Sequence, residues 1–275
     1  MSLRISTNLS SLAIQNAMNV NQRATDRAVK NVATGSRLSD PSAASADSAI
    51  AENMKAELRS LGAAKSNAEN AGGFVSIAES ALSEQSNILM RMRELSVQSA
   101  SDNYSKSERT MMQNEYGEIR NELDRIAKTT RFGSQNLLDG SVKQYDFQVG
   151  TKNNADSRIS FNSDSNTTAD NLDLAGSSVE NKSDALDSLG SIDKAMSSIA
   201  TQRSKFGAVQ SRLESAQNSL GANIEHLSEA KSRISDTDIA KEVSDVRRGQ
   251  ILNQYQTSML AQANEQSGLA LKLIG

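Results

Sequence analysis

The stretch that decides the fold is "SIDKAMSSIATQRSKFGAVQSRLESAQNSLGANIEHLSEAKSRIS", residues 191–235. Its apolar residues recur with a period of seven, at Ile192, Ile199, Phe206, Leu213, Leu220, Leu227 and Ile234. This period is typical of a long helix that packs along its length against other helices. With a rise of about 1.5 Å per residue, such a helix is roughly 65 to 85 Å long, well beyond the usual globular length.

A second repeat of the same period lies in the first half of the chain. Its members are Met54, Leu61, Ala68, Val75, Leu82 and Leu89, followed three residues later by Ala64, Ala71, Ala78 and Met92. They predict a helix with an apolar seam from about residue 44 to about residue 100. A shorter helix follows, with Met112, Tyr116, Ile119, Leu123 and Ile126 on one face and Ser105 or Ser107 as its N-cap.

Residues 130–182 have a different pattern. Alternation in "YDFQV" (145–149) and "RISFN" (158–162) predicts a small β-hairpin. The polar loop after it, "SDSNTTADNLD" (163–173), is expected to be exposed, and it lacks the glycine and terminal glutamate of a calcium loop.

Both ends of the chain carry helical stripes of apolar residues. The N-terminal stripe comprises Leu9, Leu12, Val20 and Val32, and Gly35 is expected to end its helix. The C-terminal stripe comprises Ile239, Val243, Val246, Leu252, Met259 and Leu273. The order of the predicted helices is nearly the same when read from either end of the chain, so the two terminal helices are expected to pair through these stripes. Because Asn, Gln and Ser flank each stripe, the paired helices are expected to bury little apolar surface and to leave apolar side chains for contact with neighbouring molecules. The predicted fold is mainly α: a long antiparallel coiled-coil-like helical bundle with a small β-hairpin region.

Composition excludes several classes of function. The net charge is -3 with both signs interspersed, so nucleic acid is not an expected partner. Absence of Cys removes disulfides, thiolate nucleophiles and the commonest structural zinc sites. No apolar run is long enough for a membrane span or a cleaved signal peptide, so neither membrane insertion nor the secretory route is expected.

Residue patterns for catalysis are absent as well. The sequence has no phosphate-binding glycine loop, no G-x-S-x-G and no cluster with metal-ligand spacing. Its one histidine, His226, has no His or Cys partner, and a surface or packing role is expected for it. We therefore predict no catalytic residue, no cofactor, no metal and no enzymatic activity.

One charged stretch, "LMRMRELSVQSASDN" (89–103), has two interpretations. Leu89 and Met92 belong to the seam, and Arg91 can pair with Glu94 three residues later. Arg91, Glu94, Leu95 and Gln98 are expected on other faces of the helix. These faces are either solvated or a surface for another protein.

Three long stretches resemble bacterial flagellin, and they occur in that family's order. They are "ISTNLSSLAIQNAMNVNQRATDRAVKNVATGSRLSD" from residue 5, "LMRMRELSVQSASDNYSKSERTMMQNEYGEIRNELDRIAKTTRFGSQNLLDGS" from residue 89, and "DTDIAKEVSDVRRGQILNQYQTSMLAQANEQSGLALKLIG" from residue 236. The resemblance covers nearly the whole chain. It implies a short flagellin without inserted outer domains.

The resemblance also implies a division into two domains. Paired termini form domain D0, from the N-terminal helix (1–35) and the C-terminal helix (235–275), with a connector at 36–43. Domain D1 comprises its N-terminal helices (44–129), the β-hairpin and polar loop (130–182) and its C-terminal helix (183–234).

By the same resemblance, the chain self-assembles into the extracellular flagellar filament, the helical propeller for swimming. The implied partners are further copies, the flagellar cap, the hook-associated junction proteins and an export chaperone of the type III apparatus, without a cleaved signal peptide. The implied subunit contact, recognised in many members by the animal Toll-like receptor for flagellin, comprises Arg91, Arg93, Glu94, Leu95, Gln98 and Glu115. The alternatives are a hook-filament junction protein, a cytosolic coiled-coil adaptor and an enzyme.

Overall fold

The computed structural model describes residues 8–40, 44–162 and 165–274, with the side chains of these residues up to 265. Its helices are α1 (Leu9–Thr34), α2 (Ser45–Ala100), α3 (Lys106–Thr129), α4 (Lys182–Ser235) and α5 (Ile239–Ile274). Its strands are β1 (Arg131–Phe132), β2 (Gln135–Asn136), β3 (Gln144–Gln148) and β4 (Arg158–Asn162). The predicted fold class, a mainly helical bundle with a small β region, is confirmed.

The chain divides into two compact units. The terminal unit combines Met1–Leu58 with His226–Gly275, and the central unit is Arg59–Glu225. Residues 41–43 of the predicted connector lie outside the described residues. The D0 and D1 borders stay a prediction.

The core of the central unit is the predicted apolar seam. Leu82 and Leu89 of α2 are fully buried, as are Ile192 and Phe206 of α4. Tyr116 and Leu123 of α3 belong to the same cluster of buried residues. Three helices therefore cover one another's apolar faces, and each fully buried side chain of this size contributes about 1.5–3 kcal/mol.

Gln85 interrupts the seam at a position where the repeat calls for an apolar residue. It is fully buried, and its Nε2 donates to the Leu123 carbonyl of α3 at 3.2 Å and to the Thr167 carbonyl at 3.5 Å. A buried amide without partners is costly, so these bonds tie α2 to α3 and to the segment after the hairpin.

The two predicted helix ends are confirmed. Gly35 follows α1 with φ 67°, the left-handed conformation that favours glycine. Ser105 is the N-cap of α3 and forms a capping box with Glu108. In this box the backbone N–H and Oγ of Ser105 both donate to the Glu108 carboxylate at 2.7 Å.

The predicted hairpin is present as an antiparallel pair. β3 pairs with β4 in the register Tyr145↔Phe161 and Phe147↔Ile159. The side chains of Tyr145, Ile159 and Phe161 are buried, which places one face of the hairpin on the core. A smaller pair, β1 with β2, precedes it.

The polar loop after the hairpin is not simply exposed, contrary to the prediction. Ser165, Thr167, Leu172 and Leu174 are buried in the segment 165–181, which we name the strap. Ser163 and Asp164, which precede the strap, lie outside the described residues.

One face of α3 holds the strap. The residues on this face are spaced by three or four, and they bond to the strap through side-chain groups: Gln113 Oε1 accepts from Val179 N at 2.7 Å, Tyr116 Oη donates to Ser177 Oγ at 2.8 Å, Arg120 Nη1 donates to the Ala175 carbonyl at 2.8 Å, and Asp124 Oδ1 accepts from Ala169 N at 3.3 Å. Burial raises the pKa of Tyr116 above its ordinary value. A polar stretch is thus buried because α3 satisfies its backbone groups.

The capping box predicts a pH-dependent contribution to stability. Hydrogen bonds from Ser105 hold the pKa of Glu108 below its ordinary value of 4.5. Because the folded-state pKa is the lower one, the contribution is complete above the ordinary value and is lost as pH falls through the folded-state pKa. We expect the stability difference between the wild type and Glu108→Gln, from denaturant unfolding followed by circular dichroism, to shrink below about pH 4.5.

Glu118→Gln is the control, since it removes the same charge from α3 outside the cap. We expect Ser105→Ala to lower the free energy of unfolding by about 1 kcal/mol. A difference between wild type and Glu108→Gln that stays constant from neutral to acid pH would contradict the capping argument.

Candidate interaction surfaces

The described residues point to surfaces rather than to a catalytic centre. No group of three or more His, Cys, Asp or Glu side chains among them is placed to bind a metal ion. Within the same part of the chain, no helix is both long enough and apolar enough to cross a membrane. His226 is exposed, in agreement with the surface role expected for it.

The contact between α1 and α5 is largely polar. Asn21 donates from Nδ2 to the Gly249 carbonyl and to Asn253 Oδ1, both at 2.9 Å. Asn8, the N-cap of α1, donates from Nδ2 to the Ala263 carbonyl at 2.9 Å. Asparagine amides therefore set the register of α1 against α5.

Small residues let these two helices approach closely. In the described chain, α1 and α5 come nearer to each other along their length than any other pair of helices. A Cβ added at Gly249 would lie 2.1 Å from Thr25 Oγ1 and 3.2 Å from Thr25 Cβ. Gly249 is therefore the residue of α5 that the close approach requires.

Most residues of the apolar stripes lie outside this contact, contrary to the expectation that the two stripes pair with each other. The buried residues of α1 are Ser11, Thr25, Ala28 and Asn31. The predicted stripe residues are instead exposed at Leu9, Leu12, Val20, Ile239, Val243, Leu252 and Met259, and half-buried at Val32 and Val246. The side chain of Leu273 lies outside the described residues.

The exposed apolar surface of α5 is larger than the predicted stripe. Ile251 is 54% exposed and Tyr255 is 68% exposed. The expectation that the terminal pair leaves apolar surface uncovered is confirmed. Exposed apolar surface does not stabilise a monomer in water, and a large apolar patch of this kind indicates an interaction site.

The charged stretch of α2 forms an ion-pair cluster with α3. Arg91 donates to Glu115 from Nε at 3.0 Å and from Nη2 at 2.6 Å, and to Glu94 from Nη1 at 3.0 Å. These bonds raise the pKa of Arg91, and the bond to Glu115 has a larger effect than the bond to Glu94. The predicted pairing of Arg91 with Glu94 is confirmed, and all three side chains are about half exposed.

The other residues predicted for this surface do not join the Arg91 ion-pair cluster. Arg93 pairs with Asp193 of α4 at 2.9 Å, and Gln98 is exposed. Leu95 is only 1% exposed, so its prediction as a surface residue is wrong. α2 packs against α3 and the strap as well as against α4, so its buried arc extends beyond the seam and includes Leu95.

A groove between α2 and the β3–β4 hairpin was missed by the sequence analysis. One end, lined by aromatic rings of Phe74, Phe132 and Phe147, encloses about 340 Å³. The adjoining end, lined by Ala63, Ala64 and polar groups of the hairpin turn, encloses about 350 Å³. The one available signal is the concentration of Phe and Tyr in residues 132–161 of a chain with few aromatics.

Comparison with known protein families gives two matches. The model of the bacterial flagellin N-terminal helical region matches residues 5–143. The model of the bacterial flagellin C-terminal helical region matches residues 189–274. The chain belongs to the bacterial flagellin family.

Curated relatives in the flagellin family align over almost the whole chain. The flagellin of Halalkalibacterium halodurans is 33% identical over 270 residues, covering 98% of this chain and 99% of its own. The flagellar filament 30.7 kDa core protein of Treponema maltophilum is 32% identical, covering 98% and 99%. The flagellin of Bacillus subtilis is 32% identical, covering 99% and 100%.

Solved structures show the same fold at lower identity. The Bacillus cereus flagellin is 24% identical with a TM-score of 0.51, over 56% of this chain and 88% of its own. A putative flagellar hook-associated protein from Vibrio parahaemolyticus is 18% identical with a TM-score of 0.57, over 71% of this chain and 99% of its own. At these identities the likeness supports the flagellin fold and does not separate filament from junction proteins.

The close approach at Gly249 gives a test of the terminal pair. Gly249→Ala places a methyl group against Thr25, and we expect it to destabilise the α1–α5 contact by about 1–3 kcal/mol. Protection of α1 amides from hydrogen exchange measures the loss. Because the clash is mainly with Thr25 Oγ1, the double variant Gly249→Ala/Thr25→Ala is expected to recover protection.

Gly221→Ala is the matched control, since a Cβ there meets nothing within 4 Å and alanine favours the helix. Equal protection of α1 in Gly249→Ala and Gly221→Ala would show that α1 and α5 are not closely packed at Gly249.

Proposed function

We propose that this chain is a structural subunit that self-assembles into the bacterial flagellar filament, the propeller for swimming motility. The observation that carries the proposal is identity of about one third with named flagellins and with a filament core protein, over 98% or more of this chain. The role of such a subunit is mechanical and not enzymatic.

The terminal unit supplies the property that a filament subunit needs. Its helices meet through amides and small residues and leave apolar side chains such as Leu12, Val20 and Met259 exposed. Neighbouring copies that cover these side chains would stabilise α1 and α5, so that ordering of the termini and assembly occur together. On this proposal the termini form the D0 domain and the central helices with the hairpin form D1.

The Arg91–Glu115 cluster is proposed as a contact with the next subunit. Its geometry suits that role, because the guanidinium is held in one orientation by Glu94 and Glu115 while remaining half exposed. Arg93 and Gln98 extend the surface along α2, and buried Leu95 supports it from beneath. The animal Toll-like receptor for flagellin would read this same surface on the monomer.

Further partners follow from family membership. They are the flagellar cap, the hook-associated junction proteins and an export chaperone, with export through the type III apparatus without a cleaved signal peptide. Co-purification of the chain with the chaperone, lost when residues 235–275 are removed, tests the export proposal.

Seeded polymerisation tests the filament proposal. We expect purified chain at high concentration to extend filament seeds into fibres micrometres long, seen by sedimentation and electron microscopy. We expect the double variant Leu12→Gln/Met259→Gln to raise the monomer concentration left at equilibrium at least tenfold, since it removes two apolar contacts worth about 1 kcal/mol or more each. A seeded wild-type chain that stays soluble would falsify the proposal.

The junction-protein alternative is retained because of the structural likeness to the Vibrio parahaemolyticus protein. A junction protein forms a ring of limited size, whereas a filament subunit extends without limit. Polymer length in the same micrographs separates the two, and short assemblies of fixed size would favour the alternative.

A matched pair of arginine variants tests the proposed subunit contact. Arg91→Ala and Arg203→Ala each remove one cross-helix ion pair, Arg91 with Glu115 at 2.6 Å and Arg203 with Glu79 at 2.8 Å. We expect only Arg91→Ala to raise the equilibrium monomer concentration, by about tenfold, and to weaken binding of the receptor ectodomain to the monomer. Equal effects of both variants would show that the loss is one of monomer stability.

A further inference from the structure

If the Arg91–Glu115 cluster contacts the next subunit, that subunit must present a matching surface. The surface inferred here rests on the proposed filament function. The groove between α2 and the hairpin is a concave surface of the central unit whose aromatic end has a mostly apolar lining. The groove has an aromatic end and a small-residue end, which adjoin where Asn67 Nδ2 donates to the Gln148 carbonyl at 3.3 Å. Along α2 it extends from Ser60 to Phe74, about 20 Å.

The aromatic end is a preformed hole. Phe74 is its buried floor, with ring centroids 4.6 Å from Tyr145, 5.5 Å from Phe147 and 6.0 Å from Phe132 in edge-on arrangements. Phe132 remains 38% exposed. Contacts among the rings keep the hole in shape, and solvent has access to it.

The small-residue end suits the approach of a helix. Its α2 side is made of Ser60, Ala63, Ala64 and Asn67, which lie on one helix face at spacings of three and four. Short side chains on that face let a second helix pack closely, with its axis roughly along α2.

The outward face of α3 has the matching features. Met111 is 68% exposed, the largest exposed fraction among the described large hydrophobic residues of the central unit. Glu108 and Glu115 lie three residues before and four residues after it, so they flank it on the helix. Through Glu115, this face is continuous with the Arg91 cluster.

The lining of the groove carries one charge of each sign, Asp146 at the aromatic end and Lys152 at the small-residue end, and its rims add a small excess of positive charge. Residues 59–74 and 131–162, which form the groove and its rims, carry six Lys or Arg and four Asp or Glu. The outward face of α3 presents three carboxylates around Met111, those of Glu108, Glu115 and Glu118. Opposite signs of this kind orient a contact and disfavour the pairing of two α3 faces.

We propose that the outward face of α3 in one copy docks in the α2–hairpin groove of the next copy, with Met111 inserted among Phe74, Phe132 and Phe147. A thioether among ring edges gains both apolar burial and sulfur–aromatic contact. The two surfaces are different parts of one unit, some 25 Å apart along α2 between Phe74 and Arg91. The contact is therefore heterologous and does not close on itself, so it repeats from copy to copy as a filament requires.

Cysteine cross-linking tests the contact directly, because the natural chain has no cysteine. Met111→Cys and Gln135→Cys, the latter at the rim of the aromatic end, are prepared as separate proteins, mixed, assembled into filaments and oxidised. We expect disulfide-linked dimers containing one copy of each variant in filaments, at least tenfold more than in unassembled mixtures. Leu186→Cys replaces Met111→Cys in the control, since Leu186 is also exposed, at 53%, but lies on α4.

A second measurement does not depend on disulfide geometry. We expect Met111→Ala to raise the equilibrium monomer concentration about tenfold and Leu186→Ala to leave it unchanged. Filaments that form normally but give no Met111→Cys/Gln135→Cys dimer, or as much dimer with Leu186→Cys, overturn the docking proposal alone. Failure of the unmodified chain to form filaments overturns the proposed function and this inference with it.

Discussion

Burial of a seven-residue apolar repeat is the constraint on which the structure depends. In the central unit the repeats of α2 and α4 are covered by each other and by α3, and side chains such as Leu82, Leu89 and Phe206 are fully removed from water. The hairpin and the strap then pack on this core. In a chain that is only 3% aromatic, the described residues form no other large apolar cluster that could support the long helices.

Polar side chains give this core its specificity. Gln85 interrupts the repeat and binds carbonyls of α3 and the strap, and four polar residues of α3 hold the strap in place. Slipping α2 by one turn would leave the fully buried Gln85 Nε2 without its partners, which costs about 1–3 kcal/mol. The seam therefore supplies stability, and the buried amides fix which residues face each other.

The terminal unit reverses this arrangement, since its contact is polar and its apolar side chains face outward. Asn8 and Asn21 bind α5 carbonyls while Val20 is 67% exposed. The net contribution of one hydrogen bond to stability is only about 1 kcal/mol. The pair of α1 and α5 is therefore weak until other molecules cover its apolar face. In the proposed filament, neighbouring copies would cover this apolar face, which connects the composition of the termini with assembly.

The amino-acid sequence determined the local elements. Period seven identified the long helices, alternation identified the hairpin, and Ser105 and Gly35 marked helix ends, because each signal comes from residues close together in the chain. Periodicity shows which side chains share a face, but it does not say what covers that face. Only the tertiary structure decided that the stripe of α1 faces outward, that α3 and the strap bury Leu95, that the polar strap is internal, and that distant segments form the aromatic groove. Each of these outcomes depends on contacts between residues far apart in sequence, where close approach at Gly249 or the hydrogen bonds from Gln85 Nε2 outweigh the local preference for apolar burial.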